Sequence, residues 1–499
     1  MSVEVQAQAP AGDRPAPLGA GAFLAVILLL AAIRIAVQAV SPLGLQADEA
    51  QYWIWSQAPA FGYFSKPPLI AWAIAATTAV FGDGPSAVRL SAPLAHVATA
   101  FLVFLLARRL AGPRAAWMSG LAFATLPGVF FSAMLMSTDA LLLPLWTLAL
   151  LAFERATATG GRGWWLATGL AIGCGLLAKY AMAYFVLGAI VYLVWNPPAR
   201  AGARGDRPVW AIVPALLVFS TNLAWNAAHG WASFGHTAAN ANLGGHLFNF
   251  DELGEFAASQ LGVFGPLTAL AFFAALRAAC RRGTSPATRF LVSFSVPVLV
   301  LMLGQAFLSR AHANWAATAY VAATILAMSW MAETGRLRLA MATIGLHAAL
   351  GALFLATVAA GRVPGIEPGS PRDPFKALSG WDALAEGVAA ARAAHPGAIV
   401  VADEREHLVQ LMYRLRPDGL GFAKWNPFGA VHDHFDLFFG LEGAAGRDLI
   451  VVTRAEKARP FRRYGEGIEP IATLDTRPGD ERGTYRLWLL RGFRGYQEP

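Results

Sequence analysis

The chain has 499 residues, of which 56% are hydrophobic and only 14% are charged, and its mean hydropathy is +0.47. Soluble globular chains carry about 25% charged residues, so this composition excludes a water-soluble fold for most of the chain. The net charge of +8 does not indicate nucleic-acid binding, because the arginines stand in short clusters between apolar runs, as they do in membrane proteins.

The predicted elements begin with an Ala-, Pro- and Gly-rich tail over residues 1–18, which we expect to be a disordered cytoplasmic segment. About 20 apolar residues cross a bilayer as a helix, so the sequence that follows predicts a transmembrane domain over 19–361 with roughly eleven helices. These spans are expected near residues 20–40, 87–109, 114–133, 138–154, 164–178, 180–196, 208–228, 256–277, 288–308, 313–332 and 338–360.

The distribution of basic residues predicts the orientation of these helices. If the N-terminus is cytoplasmic, arginines gather at every predicted inner turn, whereas the outer turns before residue 361 hold only Lys66, Arg89, Lys179 and Arg310. This asymmetry follows the positive-inside rule. An odd number of spans then leaves the rest of the chain on the outer side.

The first outer loop, residues 41–86, has the most unusual composition of the chain. Asp48 and Glu49 precede a series of aromatic residues, and Lys66 stands before a Pro–Pro pair that ends any helix. Charges at a membrane are costly and usually functional, although a solvated loop or a helix N-cap is the alternative for the two acids. The apolar stretch 68–82 is short for a span and is expected to lie along the interface or to re-enter the membrane.

Three further outer turns carry isolated polar groups. Asp139 begins a span, where the helix dipole favours a carboxylate, so a helix cap is the alternative to a functional acid. Lys179 lies between two spans, and the alternative to a functional role is a snorkelling lysine, whose ammonium group reaches from the helix end to the membrane surface. Arg310, His312 and Asn314 belong to the segment SRAHANW, for which an anchor at the membrane interface is the alternative.

Together these outer groups suit glycosyl transfer from a phospholipid-linked sugar. A carboxylate can accept a proton from an acceptor hydroxyl, and Lys or Arg can hold a phosphate. No Walker-type or dinucleotide-binding loop is present, so the sequence carries no signature of an ATP-driven pump. The histidines at 229, 236 and 246 lack a tight ligand spacing, and HDHFD (432–436) is interpreted as a solvated polar turn rather than a metal site.

After residue 361 the charged fraction rises and the apolar runs shorten. AIVVA (398–402) and DLIVVT (448–453) are typical of buried strands, and residues 404–415 are typical of a helix between them. The segment YRLWLLRGF (485–493) is a further candidate strand. The sequence therefore predicts a small α/β domain over 362–499 on the outer side of the membrane.

Four segments, in order, carry a resemblance to a known family. The strongest runs from Asp48 to Leu90 as DEAQYWIWS…GYFSKPPLIAW…FGDGPSAVRL, and STDALLLPLW, LLAKYA and HANWAATAY follow it. These motifs resemble those of the GT-C glycosyltransferases related to bacterial aminoarabinose transferase and the protein mannosyltransferases, particularly the branch with the rhizobial galacturonosyl transferases. In the last motif Ala313 and Ala316 stand where the family usually has proline.

The resemblance implies an all-α polytopic membrane protein of the GT-C fold with a small C-terminal extracytoplasmic α/β domain. It implies a polyprenyl-phosphate sugar, such as an undecaprenyl-phosphate sugar, as donor and an inverting transfer on the periplasmic face of the bacterial inner membrane. We therefore expect a hexosyl- or pentosyltransferase that modifies a lipid or a cell-surface glycan.

The resemblance also implies roles for individual residues. Asp48 would be the general base or the acid that orients the acceptor, and Asp139 would be the second acid. Glu49 is expected as a further catalytic acid. The expected phosphate-binding residues are Lys66, Lys179 and Arg310. The expected substrate-lining residues are Tyr52, Tyr63, His312 and Asn314.

Cofactor use is left open by the resemblance. Some relatives bind a divalent metal near the first-loop acids and others do not need one. Ser65 stands where the aminoarabinose transferase has Glu, and the missing acid argues against both a metal and that particular sugar. We expect no metal ligand set and keep a divalent ion as the alternative.

Two rival functions are a transporter or flippase of lipid-linked sugars and a protein O-glycosyltransferase. A flippase is expected to carry charges along a path through the bilayer, whereas the predicted spans are nearly free of charge apart from Arg34. A non-catalytic receptor would leave the charges of the first outer loop unexplained. The sequence therefore favours an enzyme.

Overall fold

The computed structural model describes residues 19–242, 247–282, 284–416, 421–477 and 483–496. The predicted tail over 1–18 lies outside these residues. The part before residue 361 is helical, with helices α1 (Ala20–Val40), α2 (Ala47–Ser56), α3 (Leu69–Phe81), α4 (Pro85–Arg89), α5 (Ser91–Thr125), α6 (Pro127–Ser132), α7 (Thr138–Thr159), α8 (Arg162–Ala178), α9 (Tyr184–Trp195), α10 (Pro197–Gly202), α11 (Val209–Ala228), α12 (Ala232–Ala241), α13 (Phe250–Phe264), α14 (Pro266–Arg282), α15 (Pro286–Ser293), α16 (Val296–Leu308), α17 (Ala319–Glu333) and α18 (Leu337–Ala360).

Six stretches of the described chain are long and apolar enough to cross a membrane, and a seventh is a bent pair. The six are α1, α4 with α5, α7, α11, α15 with α16, and α18. Shorter apolar helices occupy Leu69–Phe81, Tyr180–Trp195 and Ala319–Glu333. A multi-pass membrane protein is therefore confirmed, whereas the number of roughly eleven spans stays a prediction.

At two places the helices differ from the predicted spans. The predicted span 256–277 is a pair of helices bent by 103°. Gly265 at the bend has φ +80°, and Pro266 has no N–H to continue the ladder. Conversely, the predicted spans 87–109 and 114–133 meet within α5, where Gly112 has φ +86° and precedes Pro113.

The helices approach closely where small residues allow it. A Cβ atom on Gly169 of α8 would lie 2.2 Å from the carbonyl oxygen of Ala211 in α11, so only glycine fits this crossing. α8 also packs along α7. This pairing of α7 and α8 brings the start of one helix beside the end of the other, and the polar groups described below lie there.

The C-terminal part contains a five-stranded sheet in the order β2-β1-β3-β5-β4, in which β1 runs parallel to β2 and β3, and β5 runs antiparallel to β3 and β4. Its elements are α19 (Trp381–Ala394), β1 (Ile399–Ala402), α20 (Arg405–Arg414), β2 (Phe422–Lys424), α21 (His434–Phe438), β3 (Leu449–Thr453), α22 (Arg459–Arg462), β4 (Gly467–Asp475) and β5 (Thr484–Arg491).

The expected class of a helical bundle with a small α/β domain is confirmed, including strands β1, β3 and β5 and helix α20. Two strands of the sheet, β2 and β4, were not predicted from the sequence. β2 has only three residues, and β4 contains Pro470 at a register shift, as an edge strand allows.

The C-terminal domain and the first outer loop share one hydrophobic core. Trp53 and Trp55 of α2 belong to the same buried cluster as Leu408 and Tyr413 of α20. The Tyr413 hydroxyl donates to the carbonyl oxygen of Asp83 at 2.7 Å. The domain is thereby held against the loop that carries Asp48 and Glu49.

Candidate active site

A polar cavity of about 440 Å³ lies where the first outer loop, the start of α7 and the C-terminal domain meet. Its lining comes from five stretches of the chain, within 46–52, 64–66, 135–139, 312–315 and 432–434, with one residue directly after α8, two from α12 and one from α20. Because these stretches are distant in sequence, the cavity forms only when the bundle and the sheet pack together.

Asp48 is the most open carboxylate of the polar cavity, with a side chain that is 59% exposed. It lies in the first turn of α2, where the helix dipole favours a negative charge. Its Oδ1 accepts from Nη1 of Arg405 at 2.9 Å, and the same nitrogen donates to Oε1 of Gln51 at 2.8 Å. The N-cap of α2 is Gln46, so Asp48 is not used for capping.

Glu49, which was expected as a catalytic acid, is a buried carboxylate with several protein partners. Its side chain is 1% exposed and forms a two-point ion pair with Arg89, at 2.8 Å to Nε and 2.6 Å to Nη2. Its oxygens also accept from the backbone N–H groups of Gln46 at 3.0 Å and Met136 at 2.8 Å. Because these four donors engage both oxygens, the geometry favours a structural role that ties α2 to α4 and to the segment before α7.

Asp139, Lys179 and Asn314 form one hydrogen-bonded cluster. Nζ of Lys179 lies 2.7 Å and 2.9 Å from the two carboxylate oxygens of Asp139, and Nδ2 of Asn314 donates to Oδ2 at 2.6 Å. The cap of α7 is Ser137, whose hydroxyl accepts from the N–H of Ala140. Asp139 is therefore not the capping residue, and Lys179 is ion-paired rather than snorkelling.

Lys66 also lines the polar cavity, and its ammonium group has no hydrogen-bond or ion-pair partner among the residues that the structure describes. Burial, together with the positive charge of Lys179, lowers the pKa of Lys66 below the usual range of a lysine. Burial and the charge of Lys66 likewise lower the pKa of His236, which lines the same cavity. An anion that enters the cavity would find the ammonium group of Lys66 unoccupied by the described protein groups.

Two apolar clefts continue from the polar cavity. The first, about 350 Å³, shares Lys66 and Lys179 with the cavity and extends along Leu301 of α16. The second, about 270 Å³, shares Asp139 with the cavity and extends along Phe131. The polar groups therefore lie where two apolar spaces meet, an arrangement suited to substrates with lipid tails.

The remaining predicted residues separate into two groups. Tyr52 and His312 line the polar cavity, and burial with the charge of Asp48 raises the pKa of Tyr52 well above its usual range. Tyr63 lies beneath the cavity instead, with its ring stacked on Trp55 at 4.6 Å and its hydroxyl donating to the Trp55 carbonyl oxygen. Arg310 is exposed and outside the described lining. Tyr63 is therefore a core residue, and Arg310 is not among the cavity's bases.

Several lining residues were not expected from the sequence. Arg405 comes from the C-terminal domain, 357 positions after the aspartate that it contacts. His236 and Asn240 come from α12, in the loop whose histidines showed no ligand spacing. No local pattern marks these half-buried polar residues, because the contacts that bring them to the cavity are made between distant elements.

Among the described residues, no group of three or more His, Cys, Asp or Glu side chains is arranged to hold a metal ion. His246 lies outside the described residues. The predicted solvated turn at 432–436 is the start of α21, capped by Asp433. His434 in that segment is buried against Trp55, at 5.4 Å between ring centres.

The sequence of the chain is similar to the sequences of known glycosyltransferases. The family model described as dolichyl-phosphate-mannose-protein mannosyltransferase matches residues 65–225. The chain is 35% identical over 398 residues to the lipid A galacturonosyltransferase RgtD of Rhizobium johnstonii, covering 79% of this chain and 82% of that protein. It is 34% identical over 171 residues to the undecaprenyl phosphate-alpha-4-amino-4-deoxy-L-arabinose arabinosyl transferase of Edwardsiella ictaluri, covering 30% of each.

Solved structures share the fold at low sequence identity. ArnT from Cupriavidus metallidurans bound to undecaprenyl phosphate superposes with a TM-score of 0.67 at 14% identity, covering 96% of this chain and all of that one. The Archaeoglobus fulgidus oligosaccharyltransferase superposes with a TM-score of 0.51 at 14% identity, covering 86% of this chain and 67% of that one.

Proposed function

We propose a reaction for this chain from one premise: the chain belongs to the GT-C glycosyltransferases, in the branch that contains the rhizobial lipid A galacturonosyltransferase. It is accordingly a membrane glycosyltransferase. We propose that it moves a sugar from a polyprenyl-phosphate donor to a lipid acceptor. The observation that carries this proposal is the polar cavity, where an open carboxylate and a lysine without an ion-pair partner in the described chain lie beside apolar clefts.

Donor binding is assigned to Lys66. Lys179 is ion-paired with Asp139, so Lys66 is the lysine of the cavity that has no ion-pair partner within the described part of the chain. Its position at the entrance of the first apolar cleft suits a donor whose phosphate lies in the cavity and whose prenyl chain lies in the cleft. Lys179 supports the site as a second positive charge, and Arg310 is left out of the phosphate-binding set.

Transfer requires a base for the acceptor hydroxyl, and we assign this role to Asp48. The acceptor oxygen forms a bond to the anomeric carbon while the bond from that carbon to the phosphate oxygen breaks, which inverts the configuration. The proton passes to the Asp48 carboxylate. The phosphate keeps the bonding electrons, and Lys66 stabilises the charge that develops on it. Arg405 orients Asp48, and Asp139 holds Lys179 and Asn314 in place.

The sidedness of the reaction is part of the proposal. We propose that residues 19–361 form the membrane domain in the bacterial inner membrane, with residues 362–499 and the first outer loop (41–86) in the periplasm. The basic inner turns support this orientation. We keep lipid A or a surface glycan as the acceptor class, and galacturonate is the first donor sugar to test because the relative RgtD is named for it.

A flippase remains the rival from another class. Arg34 is the charge inside a predicted span, and it donates to the carbonyl oxygen of Ala124 at 2.7 Å and lies over the ring of Phe130 at 4.5 Å. Arg34 is buried in the bundle against these groups and lines neither the polar cavity nor the two apolar clefts, so it does not mark a path for a charged headgroup. This supports an enzyme.

The test is transfer of labelled sugar by the purified protein in sealed lipid vesicles. The donors are polyprenyl-phosphate galacturonate and a neutral hexose analogue, and the acceptor is lipid A. Asp48→Asn should lower kcat at least about 100-fold, the contribution expected of a general base. The matched control is Asp206→Asn, an aspartate of similar exposure (54%) that also pairs with an arginine, Arg162 at 2.8 Å, outside the lining of the polar cavity.

The two variants separate the outcomes. Loss of transfer in Asp48→Asn with a normal unfolding temperature and normal transfer in Asp206→Asn supports the assignment. Equal transfer by both variants would remove Asp48 from the role of base. Movement of the donor across the membrane without a glycosylated product would favour the flippase.

A further inference from the structure

A second cavity, of about 680 Å³, lies at the carboxyl ends of the parallel strands β1 and β2, and we name it the strand-end cavity. Asp403 follows β1 directly, and Trp425 and Asn426 follow β2, and all three line it. In open α/β sheets, ligands bind in the crevice outside the carboxyl ends of the strands, where neighbouring connections leave in opposite directions. In the order β2-β1-β3 this point lies between β1 and β3, and α22, which follows β3, also lines the strand-end cavity.

The strand-end cavity continues into the polar cavity. His432 and Asp433 line both spaces. A ligand with one group at Asp48 can therefore extend past this pair of residues into the C-terminal domain. Because the strand-end cavity has its own walls, it offers contacts to a part of a substrate that does not react.

Each carboxylate of the strand-end cavity accepts at least one hydrogen bond from a protein group. Asp433 caps α21 by accepting from the N–H groups of Phe435 at 2.8 Å and Asp436 at 3.2 Å. Asp436 accepts in turn from the N–H groups of His432 at 2.9 Å and Asp433 at 3.0 Å. Asp403 accepts from the hydroxyl of Thr453.

The basic residues of the same cavity are more available. The Arg459 side chain is exposed and has no hydrogen-bond or ion-pair partner among residues 19–242, 247–282, 284–416, 421–477 and 483–496. Arg463 is also exposed and contacts only the neighbouring ring and hydroxyl of Tyr464 within the described chain. Lys424 is buried and donates to the carbonyl oxygen of Asp403 at 2.6 Å. The open charge in the strand-end cavity is therefore positive.

An aromatic side chain completes the strand-end cavity. Phe428 lines it, yet 83% of the residue is exposed, the largest value among the exposed large hydrophobic residues described. An isolated exposed ring beside polar groups has a face on which a pyranose ring can pack. A cavity with two open arginines and one open aromatic ring suits an anionic saccharide.

We propose that the strand-end cavity binds the anionic saccharide headgroup of the lipid acceptor at a position away from the reacting hydroxyl. Arg459 and Arg463 contact a phosphate or carboxylate of that headgroup, and Phe428 packs against a sugar ring. This inference rests on the proposed transfer to a lipid acceptor and specifies where the acceptor is recognised. It makes the C-terminal domain the part of the protein that selects the acceptor.

The test measures the acceptor KM with bisphosphorylated lipid A and with the same lipid A after phosphatase treatment. The variants are Arg459→Gln, Arg463→Gln and the double variant. The matched control is Arg462→Gln, which removes the same charge from an exposed residue of α22 that is outside the described lining of the cavity.

We expect each cavity variant to raise the KM for bisphosphorylated lipid A about tenfold, the loss expected for one charge-assisted contact. The donor KM and kcat should be unchanged, and the dephosphorylated acceptor should show no difference between variants. Arg462→Gln should resemble the wild type.

Three results would overturn the inference. The first is an equal effect of Arg462→Gln, which indicates general attraction by the positive surface. The second is competition by phosphatidylglycerol vesicles as strong as that by lipid A, which indicates contact with the membrane. The third is an unchanged acceptor KM in the double variant while the wild type transfers sugar. If the wild type transfers no sugar from either donor, the proposed function fails together with this inference.

Discussion

Replacing Glu49 by Gln is expected to destabilise the fold around the active site, and this outcome would distinguish a structural acid from a catalytic one. The Glu49 and Arg89 side chains are 1% and 7% exposed, and their shortest N–O distance is 2.6 Å. Glutamine keeps the shape of the side chain but leaves the buried guanidinium without its counter-charge. The backbone N–H of Met136 also loses a charged acceptor.

The expected magnitude follows from burial. Removing one partner of a buried ion pair costs about 3–5 kcal/mol, because the remaining charge cannot be solvated. The matched control is Glu469→Gln, whose carboxylate pairs with Arg491 at the same distance of 2.6 Å but with both side chains about half exposed. An exposed pair contributes about 0–1 kcal/mol, so the control should unfold near the wild-type temperature.

The assay is thermal unfolding of the purified protein in nanodiscs, followed by intrinsic tryptophan fluorescence. Glu49→Gln should unfold at a clearly lower temperature than Glu469→Gln. Removing both charges, as Glu49→Gln with Arg89→Met, should recover part of the loss because no unpaired charge is then buried. If Glu49→Gln unfolds at the wild-type temperature but transfers no sugar, our structural assignment is refuted and Glu49 returns to the catalytic acids.

Three further predictions concern pH and packing. Phosphate binding needs protonated Lys66, and burial lowers the pKa of this lysine. The donor KM should therefore begin to rise at a lower pH than it would for a lysine with the usual pKa. Lys66→Arg should remove this rise at alkaline pH, and an unchanged dependence of KM on pH in that variant would contradict the assignment. Burial lowers the pKa of His434 to about 4, so between pH 6.5 and 4 the unfolded chain takes up a proton that the folded chain does not. The wild type should therefore lose at most about 3 kcal/mol of stability over this range. His434→Phe should lose less in unfolding measurements at the same pH values, and an equal loss would argue against this group. Gly169→Ala should lower the unfolding temperature, because its Cβ would lie 2.2 Å from the Ala211 carbonyl oxygen; the cost of such overpacking is about 1–3 kcal/mol, and Gly163→Ala, at a position with open space, should cost much less.

Local sequence properties were sufficient for the membrane class and for much of the candidate site. Spans and strands depend on the periodicity and length of apolar runs, which neighbouring residues determine. The motifs around Asp48, Lys66, Asp139 and Lys179 were expected at outer turns, and these four side chains do line one cavity. Their chemical roles stay predictions that the transfer assays test.

Only the tertiary structure decided which polar groups meet. Arg405 reaches Asp48 because α20 packs against α2 across a shared core, and no pattern within either helix encodes that distance. Glu49 and Asp48 are adjacent in the sequence, yet one is buried against Arg89 and the other is open, because successive residues of a helix point to different sides. Sequence thus determined where charge was available, and packing between distant elements determined which charges are neutralised and which remain free to bind a substrate.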